Sequence, residues 1–171
     1  MKPIVVCYSL TGNNAALATC IAGKLQTDLV VVSEPKPRTT GTTIVDLLFN
    51  RSPKVHVASF DESQYDFALF VGPVWIGHPA TPLRRPLKTL VPTIGTYGFA
   101  TISGGADGPN MQLGTNLKKL VNRDPALLLD LSIAKLLPQG AEISRKVTSA
   151  YRITDVEVEQ LAQQVVENLK R

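Results

Sequence analysis

Short apolar runs alternate with helix-period segments along the whole chain, and few architectures accommodate that alternation. The runs are residues 4–8, 29–32, 67–71, 97–102 and 126–131. Each has strand length, and four are almost unbroken in hydrophobicity, as strands covered on both faces are. Between them, Leu17, Cys20, Ile21 and Leu25 share one face of a segment opening near Asn13. Leu83, Leu87 and Leu90 do the same after Thr81-Pro82, which reads as N-cap and first helical residue. Pro86 fits such a helix badly, so a kink or a later start is expected. Leu113, Leu117, Leu120 and Val121 mark a further helix, with start signals in residues 107–110. Near the C-terminus, Thr154 and Glu157 form a capping box ahead of Val158, Leu161, Val165 and Leu169. Alternation of this kind means right-handed crossovers and a parallel sheet between two helix layers. Residues 34–54, rich in Pro and Thr, hold one short helix around Ile44, Leu47 and Leu48. Residues 137–153 show neither period and read as loop with short elements.

At 171 residues and 44% hydrophobic, the chain suits one domain, residues 1–171, that needs no metal or disulfide to hold it. Its two cysteines, Cys7 and Cys20, fall at apolar positions and read as buried thiols. They are too few for a zinc cluster or a disulfide framework, so no metal site is expected. The apolar run behind Met1 is too short for a signal-peptide core, and the uncharged stretches 67–83 and 89–106 are broken by Gly and Pro. No membrane span is expected, and a cytoplasmic location is the simplest reading. The formal charge of +4 comes from scattered pairs such as Arg84-Arg85 and Lys118-Lys119 with no aromatic platform beside them. Solvated helix faces explain these better than nucleic acid, with a basic patch for an anionic partner as a minor reading.

Ligands of an open parallel sheet bind beyond the carboxyl ends of its strands. Three segments fall there: 9–14, 72–79 and 103–110. The first, Ser9-Leu10-Thr11-Gly12-Asn13-Asn14, joins a buried strand to a helix. Two hydroxyls, a glycine and free N–H groups at a helix N-terminus make an anion nest. The loop lacks the lysine of a nucleotide-hydrolysing loop and the spaced glycines of a dinucleotide fingerprint. An ordinary turn capped by Ser, Thr and Asn fits it equally well. The second segment carries Trp75, the chain's one tryptophan, on a stiff loop where it can stack on a flat ring or fold back as satellite core. His78 on that loop can relay a proton or serve as a loop histidine bonded to backbone. The third segment holds Gly104, Gly105 and Gly108, which let backbone approach a ligand closely. Asp107 and Asn110 in it read also as caps of the next helix.

Tyr8-Ser9-Leu10-Thr11-Gly12-Asn13, the Pro73-Val74-Trp75-Ile76-Gly77 loop and the Gly104-Gly105 loop together resemble the flavodoxin-like flavoproteins, over most of the chain. The resemblance implies a three-layer α/β fold with a five-stranded parallel sheet in order 2-1-3-4-5 and one FMN at its carboxyl edge. Ser9, Thr11, Gly12, Asn13 and Asn14 would hold the phosphate and Trp75 would stack on the isoalloxazine. The Gly77 backbone would meet the N5/O4 edge, with Pro73, Val74 and Ile76 around it. Ser103, Gly104 and Gly105 would line the pyrimidine side. Asn14 stands where the family has a hydroxyl, and the third loop offers no second aromatic. The function implied is an FMN-dependent oxidoreductase passing electrons from NAD(P)H to a quinone-like or other small acceptor. Rim cations among Lys36, Arg38, Arg84 and Arg85 would favour a phosphorylated nicotinamide. The alternatives are an electron carrier between redox protein partners and a flavin-free binding module on the same fold. Carriers of this kind are characteristically acidic, which a basic chain is not.

Overall fold

In the computed structural model, which describes residues 1–36 and 38–170, the elements follow the alternation read above. They run β1 Pro3–Cys7, α1 Asn13–Leu25, β2 Leu29–Val31, α2 Thr40–Leu48, β3 Phe67–Val71, β4 Val74–Trp75, β5 His78–Pro79, α3 Arg84–Ile94, β6 Thr96–Ser103, α4 Leu113–Val121, β7 Leu127–Ser132, α5 Arg145–Ala150 and α6 Asp155–Leu169. The main sheet is parallel in the order β2-β1-β3-β6-β7. With the small antiparallel hairpin β4/β5 set aside, this is the 2-1-3-4-5 order.

Strands β1 and β3 are buried along their full length, as near-continuous apolar runs require. Ile4, Val6 and Phe70 pack beneath Leu87 and Leu90 of α3 and Leu113 and Leu117 of α4. Val5, Leu69 and Ala100 pack on the other face beneath Leu17 and Ile21 of α1 and Leu161 and Val165 of α6. Three layers result. The register sets Cys7 beside Val71 and Val71 beside Ala100, so the segments leaving β1, β3 and β6 emerge side by side at one rim.

Pro86 produces the later start. Thr81–Leu83 form a single 3₁₀ turn and α3 begins at Arg84, which leaves Pro86 in the first turn, where an N–H has no helical acceptor. Thr81 does not cap it; its hydroxyl is buried and has no partner among the described residues. The helix also contains Pro92, unanticipated because the apolar stripe ends before it. The capping box of Thr154 and Glu157 is formed as read. Residues 137–153 contain α5, started by the Ser144 side chain accepting from the Val147 N–H. No helix among the described residues is long and apolar enough to cross a membrane.

Cys20 departs from the buried reading. It is half-buried between α1 and α6, its thiol donating to Glu159 Oε2 at 3.1 Å. Cys7 is 1% exposed, and burial pushes its thiol up to about 12. A chromogenic disulfide reagent is therefore expected to label one thiol, Cys20, in the native protein at neutral pH, and Cys7 only in denaturant. Two thiols reacting at equal rates without denaturant would contradict this packing.

Candidate functional site

The 9–14 loop turns at Gly12, whose φ of 98° falls in the region that favours glycine and beside which a Cβ would meet nothing within 4 Å. The Ser9 hydroxyl accepts from the Gly12 N–H at 3.1 Å and fixes the turn. Asn13, Asn14 and Ala15 open α1, so their N–H groups have no acceptor within the helix. Thr11 and Gly12 are exposed, and the loop contains no cation. An anion would be met by N–H groups, hydroxyls and the helix dipole.

The Asn13 and Asn14 side chains do not contribute to that nest. Asn14 is 3% exposed; its Nδ2 donates to the Ile102 carbonyl at 3.2 Å and its Oδ1 accepts from the Ile102 N–H at 2.9 Å. Asn13 likewise donates to the Tyr151 carbonyl at 3.0 Å and accepts from the Ile153 N–H at 3.3 Å. Both side-chain amides clamp the loop to distant backbone, so what these two residues can offer a phosphate is their backbone N–H groups.

The second loop is a tight hairpin. Ile76 and Gly77 have successive positive φ of 50° and 71°, the pattern of a type I′ turn, and the turn pairs Trp75 with His78. The Gly77 carbonyl accepts from Asn116 Nδ2 at 2.8 Å, which leans the hairpin on α4. Pro73 accepts from the Ala80 N–H at 2.9 Å, and Val74 packs on the core. Trp75 is half-buried, edge-on to Tyr8 with ring centroids 6.2 Å apart. The Arg38 guanidinium lies 5.4 Å from its ring centroid. Arg38 is itself held by Glu34 through two nitrogens, at 2.6 and 2.9 Å, and by Asp46 at 2.9 Å; Tyr8 donates to Glu34 at 2.7 Å. Burial and the adjacent Glu34 raise the Tyr8 hydroxyl above its ordinary range. His78 is half-buried and has no side-chain hydrogen bond among the described residues, against its reading as a backbone-bonded histidine. Burial, with the charges of Arg84 and Lys119, holds it below the usual histidine value.

The third loop serves the fold's own packing. Ser103 is buried and donates to Asp130 Oδ1 at 2.5 Å, while the Asn110 N–H and Nδ2 donate to Asp130 Oδ2 at 3.1 and 2.8 Å. A Cβ at Gly104 would come within 2.9 Å of the Thr148 hydroxyl, and one at Gly105 would overlap Ser132. Neighbouring side chains of the chain itself are reason enough for these glycines, whether or not a ligand approaches their backbone. Nor does Asp107 cap α4: it pairs with Arg145 Nε at 2.8 Å, and the residue before α4 is Gln112, without a side-chain cap.

Topology thus brings the three loops to one rim, while the side chains divide. Ser9 lines a cleft of about 590 Å³ with Leu10, Ser33, Glu34 and Lys36 on the β2 side; Trp75 and the third loop do not line it. Two of the presumed rim cations are internal. Arg38 is paired as above, and Arg84, 4% exposed, donates to Asn50 Oδ1 and the Arg51 carbonyl. Arg85 lies instead in a groove with Phe60 and Thr89. The sequence reading missed Asp130, although a carboxylate inside the Leu127-Leu128-Leu129-Asp130-Leu131 run was a visible signal. It also missed Glu34 and Asp46, whose connection to Trp75 has no local signature.

The sheet order and the nest at a helix N-terminus on its carboxyl rim define a doubly wound α/β protein of the flavodoxin-like fold. No protein-family model and no curated protein sequence matches the chain. Solved structures do. A flavoprotein of Lactobacillus acidophilus, crystallised in complex with FMN, is 20% identical, covering 75% of this chain and 92% of its own with a TM-score of 0.66. The apo form of a Lactobacillus acidophilus flavoprotein, also 20% identical, covers 78% of this chain and 95% of its own with a TM-score of 0.57. A Bacteroides eggerthii protein provisionally described as a flavoprotein is 16% identical, covering 96% and 98% with a TM-score of 0.63. At these identities the likeness is one of fold.

Proposed function

We propose that the chain, folding as one unit over residues 1–171, binds FMN at the carboxyl rim of β1, β3 and β6 and is a redox protein. The observation that carries the reading is the exposed, cation-free nest of 9–14 on the same rim as Trp75. FMN is also what the Lactobacillus acidophilus structure of this fold holds. The nest fits a phosphate monoester: the N–H groups of Asn13 and Asn14 and the hydroxyls of Ser9 and Thr11 supply donors, and the space beside Gly12 is open. Bound flavin would supply hydride and single-electron chemistry that side chains lack. Trp75 offers the surface that Arg38 and Tyr8 leave free. Because Asn116 holds the Gly77 carbonyl, the Gly77 N–H is the group that residue can present to a polar ring edge. Ser103, Gly104 and Gly105 act as wall and support. His78 is the ionisable side chain of the Trp75 loop and would be its proton relay, with burial and the Arg84 and Lys119 charges favouring its unprotonated form.

The role we adopt is an oxidoreductase that takes hydride from NAD(P)H and passes electrons to a quinone-like or other small acceptor. The basic net charge disfavours an acidic-carrier role. With Arg38 and Arg84 held internally and Arg85 in a separate groove, Lys36, which lines the cleft beside Ser9, is the one of these four cations that could meet a phosphorylated nicotinamide. A carrier between protein partners is the second reading, favoured by the exposed apolar Ile76 and Met111 near the rim. Flavin absorbance that persists through gel filtration after adding FMN tests binding. An oxidoreductase then consumes NADH or NADPH directly, whereas a carrier waits for a partner reductase. A protein that takes up no FMN overturns both.

Trp75→Ala is expected to weaken FMN binding by roughly 1–3 kcal/mol, measured by flavin fluorescence titration. Unchanged affinity would remove Trp75 from the site.

A further inference from the structure

Helix α2 turns most of its apolar side chains outward. A surface helix ordinarily turns its apolar stripe inward, yet here Thr43, Asp46 and Leu47 are the half-buried residues. Ile44, Val45, Leu48 and Phe49 stand outward, 49%, 38%, 75% and 72% exposed. The helix's one charged residue, Asp46, is spent inward on Arg38, so the outward face carries no charge. Gly41 lies on the same face. A Cβ there would meet nothing nearer than the Thr39 hydroxyl at 3.8 Å, and its φ is not positive. Nothing among the described residues requires a glycine at this position, where glycine is a poor helix former.

We infer that this face is an interface with a second copy of the chain, the two α2 helices antiparallel about a twofold axis between Ile44 and Val45. Gly41 and Leu48 lie seven residues apart, two turns along one line of the helix and equidistant from that axis. A twofold contact must be self-complementary, and this spacing sets the hole of each copy opposite the knob of the other. The pairing also opposes the helix dipoles. Antiparallel packing sends the cations that follow the helix, Arg51 and Lys54, to opposite ends of the contact. For Arg51 that is an axial separation of roughly 20 Å, well beyond the screening length at physiological salt; parallel packing would stack them. The four side chains offer on the order of 500 Å² per copy, short of the roughly 800 Å² of a standard stable interface, so the dimer is weak and forms with rising concentration. The inference does not rest on the flavin reading.

Sedimentation velocity of the full chain without flavin, from about 5 µM to about 1 mM, tests it. The expected result is a monomer–dimer equilibrium that added salt does not weaken. Leu48→Glu should raise the dissociation constant at least about tenfold, a charge having been placed in an apolar contact. Gly41→Leu should do the same while leaving the thermal midpoint unchanged or higher, since leucine is the better helix former. Monomer at every concentration would overturn the inference and leave the face to a different protein. So would association that Leu48→Glu leaves intact, that Gly41→Leu leaves unchanged or tightens, or that salt abolishes.

Discussion

Arg38→Leu is expected to destabilise the protein by roughly 2–4 kcal/mol at neutral pH. Its guanidinium side chain is 3% exposed and sits between Glu34 and Asp46, which are 12% and 13% exposed. Removing it leaves two carboxylates facing one another with no cation between them. The cost falls slightly below that of a fully enclosed pair, because the cleft beside Glu34 admits water. For a chain of this length the thermal midpoint should drop by about 5–15 °C. Trp75 reports the change, since Arg38 lies over its ring and the loss should shift the indole emission. Arg38→Lys keeps the charge but loses the two-pronged contact with Glu34, and should lie between the two. A midpoint for Arg38→Leu within a degree of the wild type would show that the triad is solvated and contributes nothing.

Asn14→Leu is the second. Leucine has the branching of asparagine, with two bulkier methyl groups that neither donate nor accept, so it strands both the N–H and the carbonyl of Ile102 in the interior. Each of the two stranded groups costs roughly 1–3 kcal/mol, giving about 2–6 kcal/mol in urea unfolding. Asn14→Thr supplies one hydroxyl, can satisfy only one of the two groups and should recover part of the loss. A neutral Asn14→Leu would mean that the 9–14 loop is not tied to β6 through this amide.

These two residues show where sequence reading stops. Strand β3 was legible to the residue, because five successive apolar side chains buried on both faces leave no other period. The late start of α3 was legible too, since the backbone constraint of Pro86 is local. Asn14 was not. A polar residue opening a helix beside a ligand loop looks like a donor to the ligand, and only Ile102, 88 positions away in sequence, reveals that it faces inward. Gly104 and Gly105 are ambiguous in the same way: glycine reports that something comes close, not what, and Thr148 and Ser132 are near enough to require it. Arg38 looked like a rim cation because its partners are distributed over a Pro- and Thr-rich stretch whose fold had no readable period. The helix around Ile44, Leu47 and Leu48 was anticipated, but an apolar stripe does not say which way it faces, and in α2 part of it faces out.

The central claim is that the nest of 9–14 holds the phosphate of a flavin mononucleotide. The most direct test is a pair of fluorescence-quenching titrations of the purified protein, one with FMN and one with riboflavin, which differ only in that phosphate. FMN is predicted to bind at least about tenfold more tightly, since several N–H and hydroxyl donors meet an anion at a helix N-terminus. Thr11→Val should narrow the gap by weakening FMN far more than riboflavin. Equal affinity for the two flavins, or binding of neither, would contradict the assignment of the loop.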